Sequence, residues 1–177
     1  MKPSKNKKAS LRRQAKARAL ASPTPPATVR DVMSAAVRTC RADDTLAVAA
    51  RIMWEQDCGF VPVTDGVGRL VGVVTDRDAC MASYTQGKSL LAIPVSAAMA
   101  SRVVTLHPDD EPARAHELLR THHLRRLPVV DADQRVVGVV SLKDLAAQAL
   151  AADVSGALRE VAETFGQITK DRVPVEL

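Results

Sequence analysis

Val71-Gly72-Val73-Val74-Thr75-Asp76-Arg77-Asp78 and, further down the chain, Val137-Gly138-Val139-Val140-Ser141-Leu142-Lys143-Asp144 are one element written twice. Each starts as a β-branched run, which suits a buried strand, and ends on a hydroxyl with Asp three residues later, a pairing that opens helices. A strand that runs straight into a helix is therefore read at both places. Working outward, residues 33 to 78 superpose on 99 to 144 without a gap, and 16 of those 46 positions are identical. The identities include Met33/Met99, Thr39/Thr105, the pairs Asp43-Asp44 and Asp109-Asp110, Pro62-Val63/Pro128-Val129 and Arg69/Arg135. Such a period means one supersecondary unit used twice.

Each copy reads as a short strand (37 to 40; 103 to 106), followed by a helix opened by the Asp pair. In the first helix Leu46, Ala49, Ala50 and Met53 share one face at helical spacing. Next come an apolar strand (60 to 64; 127 to 130), a polar turn starting at Asp65 or Asp131, and a second β-branched strand (70 to 75; 136 to 141), together a hairpin. A helix follows each hairpin. The fold class is α/β in the broad sense, more narrowly α+β. A single small sheet cannot bury both its faces, so the two copies must pack on each other. The organisation is a basic arm over 1 to 27, a first unit over 28 to 83, a linker over 84 to 95, a second unit over 96 to 152, and a C-terminal helix and tail over 153 to 177. In the last segment Val154, Leu158, Val161, Phe165 and Ile168 form an apolar stripe that needs a partner, across a homodimer or on its own module.

With 177 residues, 46% hydrophobic and 25% charged, the chain has the composition of an ordinary globular protein. Aromatic residues make up only 2%, too few for a base-stacking platform, so the core must be aliphatic. The net charge of +5 is concentrated: Lys2, Lys5, Lys7, Lys8, Arg12, Arg13, Lys16 and Arg18 lie in a start free of acidic residues, which leaves the body mildly acidic. That arm could bind nucleic acid or another anionic partner, although most charged tails only stay solvated. An Arg-rich, acid-free start also fits a transit peptide. Cys40, Cys58 and Cys80 lack metal-ligand spacing and read as small buried apolar residues in a reducing compartment, without a structural metal. No stretch is apolar enough for a membrane span, and the expected location is cytoplasmic.

The doubled Gly-apolar-apolar-Thr/Ser-x-x-Asp element, together with Val32-Met33, Asp43-Asp44-Thr45-Leu46 and Phe60-Val61-Pro62-Val63 and their second-copy counterparts, resembles a tandem pair of cystathionine-β-synthase (CBS) domains, a Bateman module. The stand-alone form resembles the small bacterial CBS-pair proteins, hypoxic response proteins among them. The resemblance covers about residues 28 to 152. It implies two β-α-β-β-α units packed with pseudo-two-fold symmetry, with adenosyl ligands in the clefts between them. In the family the Asp of this element reads the ribose hydroxyls, which falls here on Asp78 and Asp144, with Thr75 and Ser141 beside it. The resemblance further implies contacts at Cys58, Gly59, Val73 and Val139, and phosphate contacts at Arg125 and Arg126. The first copy has Gly59 and Phe60 in place of those two arginines, so the clefts should be unequal.

The chemistry agrees with the resemblance, because a vicinal diol offers two donors to one carboxylate and guanidinium groups suit phosphate. The same hydroxyl and Asp are also good helix caps, and Asp43-Asp44 and Asp109-Asp110 read as caps alone. His107, His116, His122 and His123 show no metal-ligand spacing. No nucleophile motif and no phosphate-binding glycine loop is present, so the expectation is a non-catalytic regulatory module with no obligatory cofactor. Its ligand would be AMP, ADP, ATP or a similar adenosyl compound; S-adenosylmethionine, NAD and a cyclic dinucleotide stay open. The expected partners are a second copy in a homodimer and a regulated protein. The competing reading is a dimerising scaffold whose basic arm does the binding.

Overall fold

The computed structural model describes residues 27 to 151 and 155 to 170. The basic arm, apart from Ala27, and Val154 lie outside the described residues. The first copy consists of β1 (Cys40–Arg41), α1 (Leu46–Glu55), β2 (Phe60–Thr64), β3 (Leu70–Thr75) and α2 (Asp76–Gln86). The second consists of α3 (Pro112–Thr121), β4 (Arg126–Val130), β5 (Val136–Ser141) and α4 (Leu142–Ala151), and α5 (Ser155–Thr169) follows it. β1 runs parallel to β2, while β2–β3 and β4–β5 are antiparallel hairpins with matching registers. Each hairpin turn is pinned by its Asp: Asp65 accepts from the N–H groups of Val67 and Arg69, and Asp131 from those of Asp133 and Arg135. Those backbone donors, with that of Arg69 foremost, hold the Asp65 carboxyl below its ordinary range.

The first strand of each copy is shorter than expected. Only Cys40–Arg41 pairs in the first copy, and in the second a single bridge joins Leu106 to Val129. Proline accounts for both limits, since it has no N–H for the ladder. Upstream, Pro62 and Pro128 stand on β2 and β4 where the next parallel bridge would need a donor. Downstream, Pro108 stands where the first copy has Ala42, so the second copy cannot extend past Leu106. Residues 36 to 38, freed from pairing, run along the space between the copies.

The Asp pairs do not cap the helices as expected. Thr45 is the N-cap of α1 and Glu111 that of α3, neither with a side-chain cap bond. Asp44 and Asp110 instead accept from the N–H groups of Arg41 and His107 at 2.7 Å, closing the turn before each helix. A short polar side chain bonds its own local backbone most readily, and here that backbone is on the upstream side.

The two copies exchange their leading segments. Val29 and Val32 are buried in the core of the second copy with Leu106, Leu119, Leu127 and Val140. Ile93 and Val95 are buried in the core of the first with Leu46, Val61, Val63 and Val74. The backbone repeats the exchange: Val29 N–H donates to Asp110 C=O at 2.7 Å, and Val95 N–H to Asp44 C=O at 2.8 Å. Ser34 and Val139 exchange two hydrogen bonds, as do Ala100 and Val73. Gly138 and Gly72 permit this approach, because a Cβ at Gly138 would stand 2.5 Å from Met33 Sδ and one at Gly72 2.8 Å from Met99 Sδ, with backbone oxygens close behind. The paired bonds give the pseudo-two-fold relation between the units.

The core is aliphatic. Of the cysteines, only Cys40 is buried, with its thiol pushed up to about 11 by that burial; Cys58 is half-buried and Cys80 exposed, contrary to expectation. Cys80 lies on α2 beside the open groove between α1 and α2. Helix α5 packs on its own module, against α3 and α4. Its inward face is Val161, Thr164 and Ile168, whereas Leu158 and Phe165 of the expected stripe stay exposed. The reason is polar: His116 Nδ1 lies 2.9 Å from the Thr164 hydroxyl and Arg120 donates to the same oxygen, which turns Thr164 rather than Phe165 inward. No described helix is long and apolar enough to cross a membrane.

Gly138→Ala should destabilise the fold by about 1–3 kcal/mol, as overpacking does, measured by urea unfolding with Val67→Ala on the exposed hairpin turn as a control. Burial foremost, with Arg120 assisting and Glu160 opposing, holds His116 below its ordinary 6.5. The folded chain thus binds this proton less readily than the unfolded chain, so the contribution is intact above 6.5 and is lost as the pH falls below it. Unfolding free energy should drop between about pH 7.5 and about pH 5.5, and His116→Gln should flatten that drop.

Candidate functional site

The hydroxyl–Asp element forms the same local structure in both copies. Thr75 caps α2: Asp78 N–H donates to Thr75 Oγ1 at 3.2 Å, and Thr75 N–H donates to Asp78 Oδ2 at 2.9 Å. In the second copy Asp144 N–H donates to Ser141 Oγ at 3.2 Å, and Ser141 N–H to Asp144 Oδ2 at 2.8 Å. The hydroxyl also donates to Oδ2 in each. One carboxylate oxygen is thereby committed to holding the helix start. The other, Oδ1, is the one available for a further donor, and at Asp144 it accepts from Ser34 Oγ at 3.2 Å.

A cavity of about 400 Å³ opens between the copies around Asp144. Its floor is apolar, with Val37, Ile52 and Val139; its polar wall holds Ser34, Ser141 and Asp144. Arg38, Arg125, Arg126 and Lys143 bring positive charge, against Asp57 and Asp144. Arg38 is held by an ion pair with Glu55 of α1. Arg126 is placed by the β4–β5 register, which sets it opposite Ser141 at the open end of the hairpin. The volume is that of a small-molecule site, and an apolar slot with a few convergent polar groups suits a ligand with a flat apolar part and an anionic end.

Of the residues singled out from sequence, the cavity brings together Cys58, Arg125, Arg126, Val139, Ser141 and Asp144. Thr75, Asp78 and Val73 occupy the pseudo-symmetric position and do not line it. Gly59 lies in a separate groove on the outer side of α1 and α2, packed under the Asp76 carboxylate. The structure adds Ser34, Val37, Arg38, Ile52, Asp57, Phe60 and Lys143. Lys143 could have been found from its place inside Ser141-x-x-Asp144. Ser34, Val37 and Arg38 could not, because only the exchange of leading segments brings them there. Among the described residues no group of three or more His, Cys, Asp or Glu converges as a metal site would require.

Two interlocked hairpin-and-helix units with a ligand-sized cleft between them define a tandem small-molecule-binding module. The chain belongs to the CBS-domain family: the CBS domain model matches residues 29–84 and again 95–150. It is 34% identical over 128 residues to the CBS domain-containing protein YhcV of Bacillus subtilis, covering 72% of this chain and 89% of that one. Among solved structures it is similar to the CBS domain pair of protein MJ0100 in complex with 5'-methylthioadenosine and S-adenosyl-L-methionine (TM-score 0.61, 27% identity, 68% of this chain and 97% of that one). It is also similar to CBSX2 in complex with AMP (TM-score 0.64, 25% identity, 73% of this chain and all of that one).

Proposed function

We propose that this chain is a non-catalytic sensor that binds an adenine nucleotide, AMP, ADP, ATP or a close adenosyl relative, in the cleft around Asp144. The observation that carries this reading is the cavity itself, where a carboxylate oxygen, an apolar slot and a cluster of cations stand around one ligand-sized space. Asp144 Oδ1 takes a ribose hydroxyl in place of the Ser34 hydroxyl. Val37, Ile52 and Val139 hold the adenine, and Cys58 flanks it. Arg125, Arg126 and Lys143 meet the phosphates, and Ser141 keeps Asp144 in position. The adenosyl ligands of the MJ0100 pair and the AMP of CBSX2 support the ligand class.

Thr75, Asp78 and Val73 form the weaker second site. It lacks the arginine pair and has Ala100 where the first has Ser34. The ligand is a regulatory signal, no cofactor is obligatory, and the protein acts in the cytoplasm as a homodimer on a regulated partner protein. A ligand shifts such a module only through differential affinity for two arrangements.

Calorimetric titration with AMP, ATP and S-adenosylmethionine tests this. Asp144→Asn keeps the cap acceptor and removes the charge, and it should weaken the tight site by roughly ten- to hundredfold, the loss of charge-assisted hydrogen bonds worth about 1.5–3 kcal/mol. Asp78→Asn should leave the tight site unchanged. Unchanged affinity in Asp144→Asn removes the ribose assignment, and absence of binding by the parent chain to all three compounds removes the function.

A further inference from the structure

Three of the chain's four aromatic side chains face solvent. Trp54 is 88% exposed on α1, Tyr84 77% exposed on α2, and Phe165 53% exposed on α5. Aromatic side chains supply much of the energy of protein interfaces, and leaving them in water is costly. The internal repeat says what belongs over Trp54, whereas Tyr84 corresponds to Leu150, which is 66% exposed as well. Trp54 and Ala50 correspond to Arg120 and His116 of the second copy, and there α5 covers the site, its Thr164 meeting both side chains. The groove between α3 and α4 is thus filled by an amphipathic helix. The matching groove between α1 and α2 is open, a hollow of about 520 Å³ lined by Met53, Trp54, Ala79 and Leu90, with Asp57 and Asp76 at its rim.

Helix α5 has apolar side chains left to offer. Leu158 and Phe165, 40% and 53% exposed, lie two turns apart along the open edge of the face that packs on α3 and α4. Arg159 beside them is 82% exposed and ion-paired with Glu163, so the fit of this face to the groove, whose lining contains no basic residue, rests on its apolar side chains. We propose that α5 of a second copy seats Leu158 and Phe165 in the α1–α2 groove, and that the reciprocal contact closes a two-fold dimer. Each protomer has one such groove and one such helix face, so the paired contacts satisfy both and leave none to propagate. The contact specifies how the proposed homodimer forms; its groove adjoins the ligand cleft and shares Asp57 and Cys58 with it.

The chain has a single tryptophan, so emission of Trp54 reports the groove directly. In the full chain, sedimentation equilibrium should give a dimer with blue-shifted emission that moves to the red on dilution. Phe165→Glu and Trp54→Glu should each be monomeric, and Phe165→Glu should show red emission at all concentrations. Mixing these two variants should restore a dimer, because one protomer keeps an intact helix and the other an intact groove. Phe165→Ala and far-ultraviolet circular dichroism control for folding, and AMP titration of the monomeric variants separates loss of the dimer from loss of the cleft. A monomeric parent, a dimeric Phe165→Glu with blue emission, or no dimer from the mixture would each overturn the proposal, the last pointing to groove-on-groove contact.

Discussion

The structure depends on the exchange of leading segments between the copies. Val29 and Val32 complete a core that residues 101 to 151 cannot close alone, and Ile93 and Val95 do the same for the first copy. Each buried aliphatic of this size contributes about 1.5–3 kcal/mol, so neither half is expected to be stable without the other's contribution. Gly72 and Gly138 are the narrow points. Both stand on central positions of their hairpins, where the crossing segment passes at backbone distance and a methionine sulfur fills what would be the Cβ position.

The cleft is a by-product of the same crossing. Once Ser34 is fixed by two backbone bonds to Val139, the next residues must span from the second copy back to β1 of the first, and Pro62 on β2 denies them a ladder on the way. That unpaired stretch lines the cavity with Ala36, Val37 and Arg38. Asp144 then divides its oxygens between two duties, with Oδ2 holding the start of α4 and Oδ1 facing the cavity. Capping and ligand reading are therefore not rival explanations of the Ser-x-x-Asp element, since they use different atoms of one side chain.

The repeat, the order of elements and the hairpins were legible because apolar periodicity and turn residues are local signals. Arg125, Arg126, Ser141 and Asp144 were legible through their resemblance to a family, and their meeting with Val37 and Ser34 was not, since the two groups stand 88 to 110 residues apart in the chain. The length of β1 is not legible even with Pro62, Pro108 and Pro128 in view, because their consequence depends on which strand lies beside them. The inward face of α5 is hidden for a different reason. Apolar spacing identified an amphipathic helix correctly, but the polar pair His116 and Arg120 on α3 decided which of its faces turned inward.

Interlocking also limits how a bound ligand could be sensed. If the copies were separate lobes, closure about a hinge would be the natural response. Here opening the cleft by separating the copies would expose Val29, Val32, Ile93 and Val95 together, at a cost comparable to the whole stability of a small domain. The available changes are smaller: a shift of the unpaired segment 35 to 39, exchange of the Ser34 hydroxyl for a ligand hydroxyl at Asp144, and adjustment of α4, whose first turn holds Asp144. Helix α4 is packed directly against α5, so a displacement at its start is delivered to the helix that carries Leu158 and Phe165. The rigid core thus directs any response to the outer helices, where the exposed aromatic side chains lie, and away from a hinge between the copies.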